Sequence, residues 1–273
     1  MRISARAQRI EPFYVMEVAK AASTLAQQVA HSDAPMIFLN IGEPDFTAPP
    51  LVQAAASRAV RDGQTHYTQA TGLPALRERI SDWYATRFGL RVPASRIVVT
   101  AGASAALQLA CLALIEVGDE VLMPDPSYPC NRHFVSAADG TAVLVPTTAQ
   151  ERFQLSADKV QAHWGQHTRG GTGNTRGVLL ASPSNPTGTS IDPAELRRIH
   201  NVVNQHGGIT LVDEIYLGLS YEPQYGQSAL AIADNILSIN TFSKYFTTTS
   251  WLLAGPVVPE AQASGLERLA PTR

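Results

Sequence analysis

Apolar residues along this chain recur in two alternating patterns. Short, almost uninterrupted apolar runs at 96–100, 120–123, 141–145, 177–181, 209–212 and 236–240 each end in turn-forming or polar residues. Most are too short and too uniformly apolar to alternate between a wet and a dry face. That pattern predicts strands buried on both sides, as parallel strands are. Longer stretches with helical recurrence fill the gaps at 103–114, 129–138, 156–163 and 193–205. The last has Asp192 at the N-cap, Pro193 at the first helical position and Gly207 just past its end, the asymmetry that helix termini favour. Residues 168–176, TRGGTGNTR, read as a flexible surface loop by composition. No internal repeat and no linker long enough to separate domains interrupts the alternation, which predicts an α/β fold.

Composition narrows the function classes. With 273 residues, 45% of them hydrophobic, the chain has enough apolar side chains for a sizeable core. Charged residues make up 16% and the formal net charge is -2, so no basic stripe points to nucleic acid and a small partner is expected. Cys111 and Cys130 lie 19 positions apart and form no CxxC, so neither a disulfide nor a metal is expected. His163 and His167 are four apart with no glutamate at the position a zinc helix requires, and read as a polar helix end. Residues 168–176 also lack the GxxxxGK[ST] phosphate loop. The N-terminal MRISARAQRIEPF has charge but no apolar core of a leader, and no apolar run approaches the roughly 18 residues of a membrane span. A soluble, cytoplasmic protein without a membrane partner is the expectation.

Ligands of open α/β sheets bind beyond the carboxyl ends of the strands, so the polar residues that end each apolar run matter most. Those ends carry Thr100-Ala-Gly-Ala-Ser104, Pro124-Asp-Pro-Ser-Tyr128, Ser182-Pro-Ser-Asn185-Pro-Thr-Gly188, Asp213-Glu-Ile-Tyr216 and Thr241-Phe-Ser-Lys244. Only three of the 21 basic residues are lysines, and Lys244 ends a strand-like run. By itself it reads as a snorkelling or ion-paired side chain. Desolvation there would also lower its pKa and leave the neutral amine that Schiff-base chemistry requires. The turn at Gly102, Ala103 and Ser104 leaves a strand and opens a helix, a place where free N–H groups hold phosphate. Asp213, at a buried strand end, is expensive without a cation, although a solvated turn aspartate or a helix N-cap is an equal alternative. A protonated pyridine nitrogen would suit it. Tyr128 fits either core filling or stacking on a ring. Asn185 and Tyr216 offer donors to an oxyanion, or else form a turn and fill core. Together these residues describe a site for a ring bearing a phosphate, a cationic nitrogen, an oxyanion and an aldehyde.

With Asn40-Ile-Gly-Glu-Pro-Asp-Phe46, His66-Tyr-Thr-Gln-Ala-Thr-Gly72, Ser184-Asn-Pro-Thr-Gly188, Asp213-Glu-Ile-Tyr216 and Ser243-Lys-Tyr-Phe246 in this order, the chain resembles the class I/II aminotransferases from about residue 13 to residue 259. These are fold-type I enzymes that use pyridoxal 5'-phosphate. The resemblance implies a three-layer α/β/α large domain with a mixed, mostly parallel sheet. It implies Lys244 as Schiff-base lysine and proton shuttle, Asp213 on the pyridine nitrogen, and Asn185 and Tyr216 near the ring oxygen. Tyr128 would stack on the ring, Gly102, Ala103, Ser104 and Ser243 would surround the phosphate, and Tyr67 would reach a phosphate across a homodimer interface. Gly42 and Asn185 would lie near the substrate carboxylate. The implied substrates are an amino acid and a 2-oxo acid.

Three departures from the family pattern stand out. Leu252 occupies the place, eight positions after the lysine, of an arginine that clamps the cofactor phosphate. Gly255-Pro256 falls in the sheet's antiparallel strand, where a proline removes a ladder donor, so broken or bulged pairing is expected. Family members also continue for roughly another 100 residues into a small C-terminal domain that holds the carboxylate-gripping arginine, and neither Arg268 nor Arg273 sits in such a motif. The domain expectation is therefore an arm at 1–48 that normally packs on the small domain, followed by a cofactor-binding large domain at 49–273, incomplete at its C-terminal end. Two other functions stay open: a lyase of the same fold, and an inactive cofactor- or partner-binding fragment.

Overall fold

A seven-stranded sheet in the order β1-β7-β6-β5-β4-β2-β3 organises the chain. The computed structural model describes residues 2–42, 44–166 and 173–270. Glu43 of the first motif, His167, residues 168–172 of the expected loop and Arg273 lie outside them. The strands are β1 (Thr100–Ala101), β2 (Glu120–Asp125), β3 (Thr141–Pro146), β4 (Thr175–Ala181), β5 (Ile209–Asp213), β6 (Ile236–Thr241) and β7 (Leu253–Val257). Strands β3, β2, β4, β5 and β6 pair in parallel, and β7 runs antiparallel to both β6 and β1. The sheet is thus mixed and mostly parallel.

Successive side chains of the central strands feed opposite layers, which explains why those runs show no polar alternation. Val121, Met123, Leu179, Leu211, Leu237 and Ile239 point into one core with α5 (Ala103–Leu114), α6 (Pro129–Ala137) and α9 (Glu260–Leu269). Leu122, Val178, Leu180, Val212 and Ile236 meet α7 (Ala157–His163) and α8 (Pro193–Gln205) on the other face. Each fully buried aliphatic side chain contributes about 1.5–3 kcal/mol relative to exposure, so both layers are needed to hold the sheet. The α8 start is built as its sequence predicts: Asp192 Oδ1 accepts from the backbone N–H of Ala194 at 2.8 Å, and Gly207 beyond the end takes φ +67°.

Two predicted boundaries need correction. The run at 96–100 is not a five-residue strand: a 3-10 turn covers Ala94–Arg96, Ile97 makes one isolated bridge to Val257, and only Thr100–Ala101 joins the ladder. The cause lies in β7. Pro256 accepts from Val98 N–H at 3.1 Å through its carbonyl, so its donorless nitrogen also faces β1, because both backbone groups of a strand residue point to one side. The Val98 carbonyl is displaced against Gly255, where a Cβ would lie 2.1 Å from it. Toward β6 the ladder runs unbroken, with Ile239 opposite Pro256 and Asn240 opposite Gly255. The second correction concerns 168–176: Thr175 and Arg176 belong to β4, and Thr175 is buried opposite Glu120.

The N-terminal region packs differently. Helices α1 (Ala5–Arg9), α2 (Tyr14–Val29) and α3 (Pro50–Arg61) contain no buried residue, and in α4 (Pro74–Phe88) Tyr84 alone is buried. Arg6 and Arg9 both bond Asp139, and Arg132 bonds Glu11 at 3.0 Å, so α1 is tied to the end of α6 by charge rather than by a core. No helix among the described residues is long and apolar enough to cross a membrane.

Candidate active site

The carboxyl ends of β1, β2, β4, β5 and β6 lie along one edge of the sheet, and every polar cluster predicted there emerges at that edge. Asp213 is the last residue of β5, beside Ala181 of β4 and Ile239 of β6. Only 4% of it is exposed. Burial pushes its carboxyl up to about 7; Glu214 adds to the rise, while the Ile215 N–H donating to Oδ1 at 3.1 Å and the nearby Lys244 charge oppose it. A carboxyl so placed is ready to take a cationic partner, which would restore its charge.

Lys244 follows β6 in a turn and is half-buried, its Nζ 5.5 Å from the centre of the Tyr216 ring. That turn is tightly bonded. Ser243 N–H donates to Thr241 Oγ1 at 3.1 Å, and Thr249 Oγ1 donates to the Ser243 carbonyl at 3.0 Å. Tyr216 stands in the turn after β5, and Asn185 Nδ2 donates to its hydroxyl at 3.4 Å. Burial raises the Tyr216 phenol, the Asn185 bond works against that, and Asp213 adds to it. Asn185, Tyr216 and Gly42 line one cleft of about 500 Å³.

Tyr128 forms the N-cap of α6, and burial, followed by the Cys130 thiol, raises its phenol. The charges of Tyr216 and Asp213 act on it too, which places it in the same cluster. Gly102 caps α5 at φ +87° with no side-chain cap bond, so the first-turn N–H groups at Ala103 and Ser104 remain available to an anion. Leu252 lies over this helix start, its Cδ2 3.5 Å from where a Cβ on Gly102 would sit. The structure therefore brings together Lys244, Asp213, Tyr216, Asn185, Tyr128 and Gly42, with Gly102, Ala103 and Ser104 next to them along the edge. Tyr67 is not gathered in; it is fully exposed on the segment between α3 and α4.

Three residues near the site were given no role by the motifs. Phe13, from the N-terminal arm, meets Tyr128 edge-on with ring centres 6.0 Å apart. Glu214 is buried behind Asp213, where its carboxylate accepts from Ser228 Oγ at 2.8 Å, from Ala229 N–H at 2.6 Å and from Ser238 Oγ. Arg152 lines the cleft from a turn after β3. Spacing in the sequence reveals none of these partners; only the adjacency of two acids at 213 and 214, one of them necessarily off the ligand, hinted at Glu214.

The family described as Aminotransferase class I and II matches residues 34–272. The valine--pyruvate aminotransferase of Mycobacterium tuberculosis is 38% identical over 260 residues, covering 94% of this chain and 63% of that protein. The aspartate aminotransferase of Pyrococcus horikoshii is 31% identical over 235 residues, 86% of this chain and 58% of its own length. Among solved structures, an aminotransferase from Mycobacterium tuberculosis superposes with a TM-score of 0.89 at 36% identity, covering 100% of this chain and 67% of that one. The Thermus thermophilus aspartate aminotransferase with maleate gives 0.90 at 29% identity, covering 100% and 69%. The chain thus spans somewhat under two thirds of the length of these curated relatives.

Proposed function

Because this chain belongs to the class I and II aminotransferase family, we propose that it moves an amino group between an amino acid and a 2-oxo acid, with pyridoxal 5'-phosphate held at the strand edge. The observation that carries this reading is the buried Asp213, a carboxyl at about 7 with no ion-pair partner among the described residues, set beside Lys244 and Tyr216. A protonated pyridine nitrogen fits that position, the open first turn of α5 fits a phosphate, and the Asn185–Tyr216 pair fits a ring oxygen. When bound, the cofactor supplies an aldehyde and an electron-withdrawing ring. Lys244 Nζ would be the amine that holds the aldehyde and, when free, the base that carries the substrate's α-proton. The Asp213 carboxylate would hold the proton on the ring nitrogen. Asn185 Nδ2 and Tyr216 OH would donate to the ring oxygen, and Tyr128 would pack alongside the ring.

A homodimer and a cytoplasmic location belong to the same reading. The dimer is supported by the exposed apolar stretch Ile37, Phe38, Leu39 and Ile41 and by Tyr67, which is fully exposed. Leu252 favours one second reading, a chain that binds the cofactor without turning over substrate. A lyase of the same fold is separated by its products, an oxo acid with released ammonia.

Adding pyridoxal 5'-phosphate to the purified protein should give a visible absorbance band that borohydride fixes onto Lys244, and Lys244→Ala should abolish the fixed label. Label on Lys20 or Lys159 instead would overturn the assignment.

A further inference from the structure

The cleft in front of Asn185 and Tyr216 has one arginine on its wall, and that arginine is unusually prepared. Arg152 and Phe153 are consecutive non-glycine residues with φ +55° and +54°, a left-handed conformation that L side chains seldom adopt. Such conformations persist where surrounding contacts enforce them and they concentrate at binding sites. Here the enforcement is visible: within the turn, Arg152 N–H donates to the Ala149 carbonyl at 3.0 Å and Phe153 N–H to the Thr148 carbonyl at 2.9 Å. The next residue, buried Gln154, donates through Nε2 to the Thr189 carbonyl at 3.0 Å. Thr189 in turn closes the loop that carries Asn185, accepting from Ser184 N–H at 2.9 Å. The Arg152 turn is thereby locked to the Asn185 loop.

The guanidinium lies over the Tyr225 ring, 4.7 Å from its centre, and Nη1 donates to the Tyr225 hydroxyl. It forms no salt bridge among the described residues. The carboxylates nearest in sequence to the cleft wall are engaged elsewhere: Glu151 holds Lys159 Nζ at 2.6 Å, and Glu222, which also lines the cleft, accepts from Gln224 Nε2. A planar fork braced on an aromatic face, with donors left over and no salt-bridge partner among the described residues, suits a carboxylate, and Glu222 on the same wall is the one acid that shares the cleft with it.

We propose that Arg152 binds a carboxylate of the amino-acid or oxo-acid substrate and so positions it against Asn185 and Tyr216. This rests on the function proposed above. The bound group is either the carboxylate next to the reacting carbon or one at the far end of a dicarboxylic side chain, and the two have different signatures.

Succinate and butyrate are suitable probes, since neither carries an amino or oxo group to react. Their binding to the full chain, with and without pyridoxal 5'-phosphate, is measured by titration calorimetry for wild type, Arg152→Ala, Arg152→Lys and the exposed control Arg79→Ala, with circular dichroism to show that each is folded. Arg152→Ala should weaken succinate at least tenfold, Arg152→Lys should fall between it and wild type, and Arg79→Ala should match wild type. An equal loss for butyrate assigns the carboxylate next to the reacting carbon, whereas a loss for succinate alone assigns the distal one. Succinate binding that is undetectable in wild type, unchanged in folded Arg152→Ala, or equally weakened in Arg79→Ala overturns the proposal. Failure of borohydride to fix cofactor on Lys244 would sink the proposed function instead, and the cofactor-free titrations would still decide the role of Arg152.

Discussion

Asp213 and Leu252 are the two single positions on which the proposed function makes its sharpest claims. In the cofactor-free protein the Asp213 carboxyl has a folded value of about 7 against an ordinary 3.8, raised chiefly by burial. Its contribution to stability is therefore fully present below pH 3.8 and is lost as the pH rises through 7. Glu214, raised in the same direction by its own burial, acts with the same sign. The melting temperature of the cofactor-free protein should accordingly fall between pH 5 and pH 8. Asp213→Asn should flatten that fall but not remove it, because Glu214 remains. A slope equal to wild type in thermal melts would show that Asp213 is already ionised in the apo state. With cofactor, the same variant should slow half-transamination far more than it weakens binding, since a charged hydrogen bond of about 1.5–3 kcal/mol maintains the electron sink. At the phosphate end, Leu252 sits over Gly102 at φ +50° and brings no charge to the α5 start. A lost charge-assisted bond is worth about 10- to 100-fold in affinity, so the wild type should release cofactor on dialysis and Leu252→Arg should hold it at least severalfold more tightly. Unchanged affinity in a folded Leu252→Arg would place the bound phosphate elsewhere.

Among elements, β7 is the most constrained. It links the short β1 to β6, and its residue Leu253 accepts both from Phe242 N–H at 2.9 Å and from Thr241 Oγ1 at 3.2 Å, in the turn that leads to Lys244. Pro256 turns its donorless side toward β1, and Gly255 admits the Val98 carbonyl that this leaves displaced. A side chain at 255 would collide with backbone, which cannot move aside as a flexible side chain can. Gly255→Val should destabilise the protein by about 3 kcal/mol, read as a lower denaturation midpoint, and should loosen the Lys244 turn with it. A variant as stable as wild type would mean that β1 can detach from β7 without consequence. The contrast with α8 is instructive: its proline and glycine lie at the termini, where each completes a cap, and no distant backbone depends on them.

At the scale of the molecule, the chain is uneven. The sheet and its two helical layers are densely buried, whereas α1, α2 and α3 bury nothing and Ile37, Phe38, Leu39, Ile41, Phe46 and Tyr67 stay exposed. Apolar surface concentrated in one segment marks an interaction face. If a second copy covers it, as the proposed function entails, sedimentation of the cofactor-loaded protein should show a dimer whose fraction rises with concentration. Monomer alone at high concentration would reject that arrangement. The arm is also where the site gains a contact from afar: Arg6 and Arg9 reach Asp139, and Phe13 reaches Tyr128.

The three-layer sheet was legible in the sequence because burial on both faces leaves its mark within each strand, in runs where nearly every residue is apolar. The placement of the candidate site residues was legible for a related reason: Asp213, Lys244, Asn185, Tyr128 and Gly102 closely follow those runs, so finding the strands locates the edge. The caps of α8 are equally local. What only the tertiary structure decided are relations between residues far apart in the chain. The run at 96–100 has the composition of a strand, yet its pairing depends on Gly255 and Pro256. Arg152 is an ordinary polar-turn residue until Tyr225 and the Asn185 loop come beside it, and Phe13 is one more apolar residue of the arm until Tyr128 faces it. A sequence pattern records what each residue must bury or expose, which depends on its immediate neighbours. The choice of partner for Arg152, Phe13 or Val98 depends on how finished elements pack against one another, and no local period encodes that.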